Sequence, residues 1–159
     1  MTIAVGDRLP KTTLVKATAD GPDQIDSDAF FTGRKIALFA VPGAFTPTCS
    51  NRHLPGFVEK ADALKAKGVE EIACTSVNDA FVMGAWAQAN DAAAITMLAD
   101  GNADFARALG LEMDSSRFGM GIRSQRYAMI VDDGVVTSLD VEGPGEFKVS
   151  SADHLLGTL

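Results

Sequence analysis

The run Lys35-Ile36-Ala37-Leu38-Phe39-Ala40-Val41, closed by Pro42-Gly43, does most to limit what this chain can become. It is apolar without alternation and too short for a typical helix, so it reads as a strand buried on both faces. Such a strand needs a covering layer on each side of its sheet, and helical patterns that can supply those layers alternate with further apolar runs. The stretch from about Ser50 to Lys67 has helical composition, with Phe57, Ala61 and Leu64 at helical spacing and Gly68 as a stop; Pro55 is expected to kink or divide it. Glu71 to Val77 is a second strand. Asn78-Asp79 caps a helix predicted to carry Phe81, Val82 and Trp86 on one face, and Ile95 to Ala99 is a third, shorter strand. Asn102 to Leu109 is another helix. Tyr127 to Val131 and Val135 to Leu139, joined through Asp132-Asp133-Gly134, form a hairpin, and Ser150-Ser151-Ala152-Asp153 opens a last helix with Leu155 and Leu156 inward.

The order is strand, helix, strand, helix, strand, helix, hairpin, helix, after a less regular segment of about 30 residues. It predicts an α/β protein with a mixed central sheet and helices on both faces, in the thioredoxin-like order, as a single domain over residues 1–159. No repeat or linker divides the chain. A composition of 47% hydrophobic and 22% charged residues, with no apolar run long enough for a bilayer, predicts a globular protein that does not enter a membrane. A net charge of -7 with scattered basic residues argues against a nucleic-acid partner, which would require clustered Lys and Arg. The first residues, Met1-Thr2-Ile3-Ala4-Val5-Gly6-Asp7, have neither a basic segment nor an apolar stretch of a secretion signal, so the cytoplasm is the expected compartment. Two cysteines in such a chain point to catalytic or buried thiols rather than a disulfide framework.

Ligand chemistry in such sheets collects beyond the carboxyl ends of the strands, which directs attention to the loop after the first core strand. There Val41-Pro42-Gly43-Ala44-Phe45-Thr46-Pro47-Thr48-Cys49-Ser50 leaves the strand and enters the helix with Cys49 near its first turn. Free backbone N–H groups and the positive end of the helix dipole favour a thiolate at that position. A buried packing role is the commoner fate of a lone cysteine, but packing does not require two prolines and a threonine to fix the bend before it. Thr46, three residues earlier, can aim its hydroxyl into the same pocket or cap the helix, and the two roles are compatible. Pro42 ends the strand. Arg126 and Arg123 both precede the strong Tyr127 strand, and either guanidinium could reach a neighbouring strand end.

The run Pro42-Gly43-Ala44-Phe45-Thr46-Pro47-Thr48-Cys49 resembles the peroxiredoxin motif Pro-x-x-x-Thr-x-x-Cys, in the form of the type II, or peroxiredoxin-5-like, subgroup. The resemblance continues through Leu54-Pro55-Gly56-Phe57, Ser76-Val77-Asn78-Asp79, Ala99-Asp100-Gly101, Arg123-Ser124-Gln125-Arg126-Tyr127 and Gly145-Glu146-Phe147. It implies a thioredoxin-like fold, reduction of hydrogen peroxide and alkyl hydroperoxides, no metal or organic cofactor, and a homodimer. It assigns the peroxidatic cysteine to Cys49, the peroxide-binding threonine to Thr46, the shielding proline to Pro42 and the active-site arginine to Arg126. Thiolate attack on the peroxide would leave Cys49 as a sulfenic acid that a second thiol must resolve.

Cys74, the other cysteine, falls inside an apolar strand and reads as a buried structural thiol. The C-terminal region Glu146-Phe147-Lys148-Val149-Ser150-Ser151, where some related proteins carry a resolving cysteine, has no thiol. An external reductant is therefore expected. Similarity to the plant-like type II members implies glutaredoxin with glutathione, or thioredoxin, through a mixed disulfide on Cys49. Other readings are weaker. Thr46-x-x-Cys49 stands where a disulfide exchanger has Cys-x-x-Cys; His53, four residues after Cys49, shows no third group of a hydrolase; Gly119-Met120-Gly121 follows no strand that would make a phosphate loop. A peroxide sensor or redox-controlled binding module using Cys49 is the alternative from another class. Phe45, Phe81 and Trp86 are candidate dimer contacts, with core packing an equal reading for the last two.

Overall fold

The computed structural model describes residues 2–159. Its elements run β1 (Thr13–Thr18), β2 (Gly21–Asp26), α1 (Ser27–Phe31) and β3 (Lys35–Ala40), then a π-helical turn (Cys49–His53) leading into α2 (Leu54–Glu59) and α3 (Ala61–Ala66). There follow β4 (Glu71–Ser76), α4 (Ala80–Ala89), β5 (Thr96–Ala99), α5 (Asp104–Leu109), β6 (Glu112–Asp114), a 3₁₀ turn (Ser116–Phe118), β7 (Ile122–Ser124), β8 (Tyr127–Asp132), β9 (Val135–Val141) and α6 (Ala152–Leu156). Seven strands make one mixed sheet in the order β2-β1-β5-β4-β3-β8-β9, with β3, β4 and β5 parallel and the other pairings antiparallel. The apolar run that dominates the sequence is its central strand, β3.

Both faces of β3 are buried, as its composition requires. Phe39, Cys74 and Ile130 face one layer, which holds Leu54, Phe57 and Leu64 of α2 and α3, Met83 and Trp86 of α4, and Leu155 of α6. Leu38, Leu98 and Met129 face the other, with Phe31 of α1 and Phe105 and Leu109 of α5. Phe39 and Phe57 stack with ring centroids 4.0 Å apart, pinning α2 to the sheet beneath the loop that follows β3. The hairpin of β8 and β9 turns at Asp133 (φ 51°) and Gly134 (φ 79°), the left-handed pair that an Asp-Gly turn supplies.

Several expectations need correction. The first 30 residues are not irregular: β1 and β2 form a hairpin through Ala19-Asp20, and α1 follows. β2 is an edge strand, Gly-Pro-Asp-Gln-Ile-Asp, largely exposed and without apolar alternation, so its pairing left no pattern in the sequence. The ribbon of β6 and β7, three residues a side, was likewise not predicted. The helix after Cys49 is distorted ahead of Pro55, as expected, but it is divided a second time at Lys60, which was not predicted. Directly before Pro55 the backbone widens to a π turn, in which the Leu54 N–H bonds to the Cys49 carbonyl; this places a ring that would otherwise clash with a helical carbonyl. In α4 the buried face is Ala80, Met83 and Trp86, whereas Phe81 is 74% exposed and Val82 half-buried. Leu155 is buried and Leu156 half-buried.

Candidate active site

The register of the sheet assembles the site. Ala40, the last residue of β3, pairs with Tyr127, the first of β8, and Tyr127 pairs with Val141, the last of β9. Arg126 and Glu142, each one residue beyond its strand, and Pro42, two residues beyond Ala40, therefore meet at one end of the sheet, and the Glu142 N–H bonds to the Arg126 carbonyl at 2.9 Å. From β3 the chain turns at Pro42 and re-enters helix at Pro47, with the Ser50 N–H on the Thr46 carbonyl at 2.9 Å. Cys49 opens the π turn and is fully buried.

Arg126 donates from Nη2 to Cys49 Sγ at 3.0 Å and from Nη1 to His53 Nδ1 at 2.9 Å. A guanidinium has no acceptor, so Nδ1 must present its lone pair; the ring proton lies on Nε2, which donates to the Ser150 carbonyl at 2.8 Å. Burial first, and then the Arg126 charge, lower the His53 pKa to about 3, so the ring is neutral at ordinary pH. Ser150 is held in turn by Glu142, whose carboxylate accepts from the N–H groups of Lys148, Val149 and Ser150 and from the Ser150 hydroxyl at 2.6–2.9 Å. Desolvation pushes the Glu142 pKa up, but the Ser150 hydroxyl and these N–H groups outweigh it and hold it below the ordinary glutamate range. Hydrogen bonds thus run unbroken from an anchored carboxylate to the sulfur.

The structure separates the two candidate arginines. Arg123 donates to the carbonyls of Val77 and Met120, each at 2.9 Å, and braces the loops, while Arg126 reaches the thiol. Thr46 is half-buried beside the loop, and its hydroxyl donates to the Gly43 carbonyl at 2.6 Å instead of capping the helix, so of its two proposed roles the cap is not taken up. Pro42 and Thr48 flank Arg126 in a cleft of about 350 Å³. The loop is tied to β4 and α4 through Asn78 Oδ1, which accepts from the Ala44 N–H at 3.0 Å and the Ser76 hydroxyl at 2.7 Å. Trp86 is core, and its indole donates to the Ser50 hydroxyl at 2.9 Å. Phe45 is exposed.

Cys74 lies in the same apolar layer as Cys49 but mid-strand, and burial, with a smaller effect from Cys49, pushes its thiol well above the ordinary range. His53 carried a legible signal, since four residues along a helix return to the same face as Cys49. Glu142 and Asn78 carried none that one sequence reveals. Among the described residues no three His, Cys, Asp or Glu side chains come together as a metal-binding group. A thiol held 3.0 Å from a fixed guanidinium that itself lines an open cleft is suited to a nucleophilic thiolate whose charge moves to a leaving oxygen.

That combination defines a thiol-based redox enzyme on a thioredoxin-like fold, and the comparisons agree. The Redoxin family model matches residues 4–156. The rice protein Peroxiredoxin-2E-2, chloroplastic, is 56% identical over 99% of this chain and 73% of its own length, and Peroxiredoxin-2B of Arabidopsis thaliana is 48% identical over 99% and 98%. Among solved structures, reduced Prx3 in complex with hydrogen peroxide from Vibrio vulnificus superposes with a TM-score of 0.96 at 57% identity, covering 99% of both chains. The chain belongs to the peroxiredoxin family, in its type II group. It is a thiol-dependent peroxidase.

Proposed function

We propose that this enzyme reduces hydrogen peroxide and alkyl hydroperoxides at Cys49 and is regenerated by glutathione with glutaredoxin, or by thioredoxin. The observation that carries the reading is the 3.0 Å contact of Arg126 Nη2 with Cys49 Sγ. Cys49 thiolate attacks one peroxide oxygen, the O–O bond breaks, and its electron pair leaves with the other oxygen, which is released as water or alcohol after taking up a proton. Arg126 stabilises the charge as it moves off sulfur; the Thr46 hydroxyl, whose proton goes to the Gly43 carbonyl, keeps lone pairs that can accept from the peroxide O–H, and Pro42 keeps bulk water from the sulfenic acid left on Cys49. A donor thiol then forms a mixed disulfide on Cys49 with loss of water, and a second thiol displaces the free Cys49. Similarity to plant type II relatives and the protonated state of Cys74 support an external donor.

A homodimer fits the exposed aromatics. Phe45, Phe81 and Phe118 are 56%, 74% and 73% exposed. They rise from adjoining segments: Ala44 bonds to Asn78 ahead of α4, and the space beside Gly43 is filled by Met120 and Arg123. A patch of that kind next to the catalytic loop suits a second copy of the chain.

The test is steady-state peroxide consumption with each donor system, together with intact mass of the enzyme trapped during turnover. Glutathione with glutaredoxin should sustain turnover and leave one glutathione on Cys49. Full activity without any added thiol, or through a Cys49–Cys74 disulfide alone, would overturn the assignment.

A further inference from the structure

We propose that Asn78, just past the end of β4, is a positioning residue for the peroxidase reaction: it fixes the peptide unit between Gly43 and Ala44, and through that unit it makes the Thr46 hydroxyl oxygen an acceptor for the peroxide. The proposal rests on Thr46 as the group that accepts from the peroxide O–H.

The Gly43–Ala44 peptide unit is gripped at both ends. Its carbonyl accepts from the Thr46 hydroxyl at 2.6 Å, and its N–H donates to Asn78 Oδ1 at 3.0 Å. A backbone N–H can only donate, so the oxygen of the Asn78 amide, and not its NH₂, must face Ala44; the Ser76 hydroxyl, 2.7 Å from the same oxygen, then donates to it as well. The unit needs such a clamp because glycine stands on one side of it. A Cβ at Gly43 would lie 3.1 Å from Thr46 Cγ2, a tighter approach than a side chain normally tolerates, so the closeness of Thr46 favours glycine there. Glycine in turn leaves the neighbouring peptide free to rotate.

Asn78 is itself well anchored. Arg123 donates to the preceding Val77 carbonyl at 2.9 Å, the buried Ser76 accepts at its carbonyl from the Asp100 N–H at 2.9 Å, and Asp79 caps α4 through the Val82 N–H at 2.8 Å. The backbone ladder between β3 and β4 ends with the Val41 N–H on the Thr75 carbonyl, and the Asn78 side chain carries that tie further into the loop, to Ala44. The chemical consequence follows from the hydroxyl's single proton and two lone pairs. With the proton on the Gly43 carbonyl, Thr46 Oγ1 meets a substrate only as an acceptor. Rotation of the peptide unit would withdraw that carbonyl and release the proton. Donated to the thiolate it would weaken the nucleophile, and donated to the peroxide it would leave the peroxide O–H without its acceptor.

The experiment compares single-turnover oxidation of Cys49 by hydrogen peroxide, read by the emission of Trp86, which bonds to the adjacent Ser50, with thiolation of Cys49 by methyl methanethiosulfonate, read by intact mass. The second reagent is small and has no hydrogen-bond donor, so it makes no use of an acceptor on Thr46. Both reactions are run at a pH where thiolation of each variant has reached its plateau, which takes thiol ionisation out of the comparison. Asn78→Leu should slow oxidation about tenfold and leave thiolation within about twofold of wild type. Asn78→Asp keeps an oxygen toward Ala44 and should recover most of the lost rate. Thr46→Val should be slowed about tenfold or more, and adding Asn78→Leu to it should cost less than about a further twofold, because no hydroxyl is left to position. Circular dichroism checks the fold, and Asn78→Ala replaces Asn78→Leu if the latter does not fold. Oxidation of Asn78→Leu at the wild-type rate, equal slowing of oxidation and thiolation, no recovery in Asn78→Asp, or effects that multiply in the double variant would overturn the proposal. A Thr46→Val enzyme as fast as wild type with hydrogen peroxide would instead remove the underlying reading of Thr46.

Discussion

In a His53→Leu variant, Arg126 Nη1 loses its acceptor and the Ser150 carbonyl loses its donor. Leaving a buried carbonyl unpaired costs about 1–3 kcal/mol, and releasing one of the two bonds that aim Arg126 should slow Cys49 oxidation about ten- to a hundredfold. His53→Gln can donate to Ser150 and accept from Arg126, so it should recover most of that loss. The same pair of enzymes has a pH signature. The folded pKa of His53, about 3, lies below the unfolded value near 6.5, so as pH falls the unfolded chain takes the proton first. This contribution to stability is complete above pH 6.5 and is lost at about 1.4 kcal/mol per unit as the pH falls toward 3, roughly 2.7 kcal/mol by pH 4.5. Urea unfolding of wild type and His53→Gln between pH 7 and 4.5 isolates it, because the carboxylates contribute equally to both. The reasoning is refuted if His53→Leu oxidises at the wild-type rate, or if the two proteins lose stability in parallel as the pH falls.

Arg126→Met removes the cation from the sulfur and should slow oxidation by hydrogen peroxide about 10²- to 10³-fold, measured under single-turnover conditions with the fold checked by circular dichroism. Cys74→Ala should leave donor-dependent turnover within about twofold of wild type and lower stability by about 1 kcal/mol through a small cavity; failure to turn over would make Cys74 part of the cycle. Glu142→Gln weakens a carboxylate that accepts from three N–H groups and a hydroxyl, so we expect a loss of about 2 kcal/mol at pH 7 and faster proteolysis within residues 143–150. The deficit should shrink in acid, because the depressed Glu142 pKa gives stability that is present above the ordinary glutamate value and is lost as pH falls.

What the sequence revealed, and what it hid, follows from where the forces act. β3, β4 and β8 are buried on both faces, and such strands write themselves as apolar runs. The β8–β9 turn shows its Asp-Gly pair openly, and Cys49 stands in a loop too constrained to be mere packing. β2 and the β6–β7 ribbon are short and half-exposed, held by backbone pairing that any side chain permits, so they left little trace. The choice between Arg126 and Arg123 could not come from spacing; it depends on register, which sets Arg126 beside the end of β3. Glu142 was hidden for a similar reason, since its partners are backbone N–H groups and carry no residue signature. Phe81 and Trp86 show a further limit: helical spacing put both on one face and left core and exposed contact equally open for each, and only the structure separates them, Trp86 being buried and Phe81 lying outside the buried face of α4.

The central claim is that Cys49, held against Arg126, is the peroxide-reacting thiol. Reduced enzyme mixed with one equivalent of hydrogen peroxide, followed by stopped flow and by intact mass beside a Cys49→Ser control, addresses it directly. The account predicts oxidation orders of magnitude faster than that of free cysteine at the same pH, with one oxygen added at Cys49 and none in the control. A rate like that of an ordinary thiol, or one unchanged in Cys49→Ser, would contradict it.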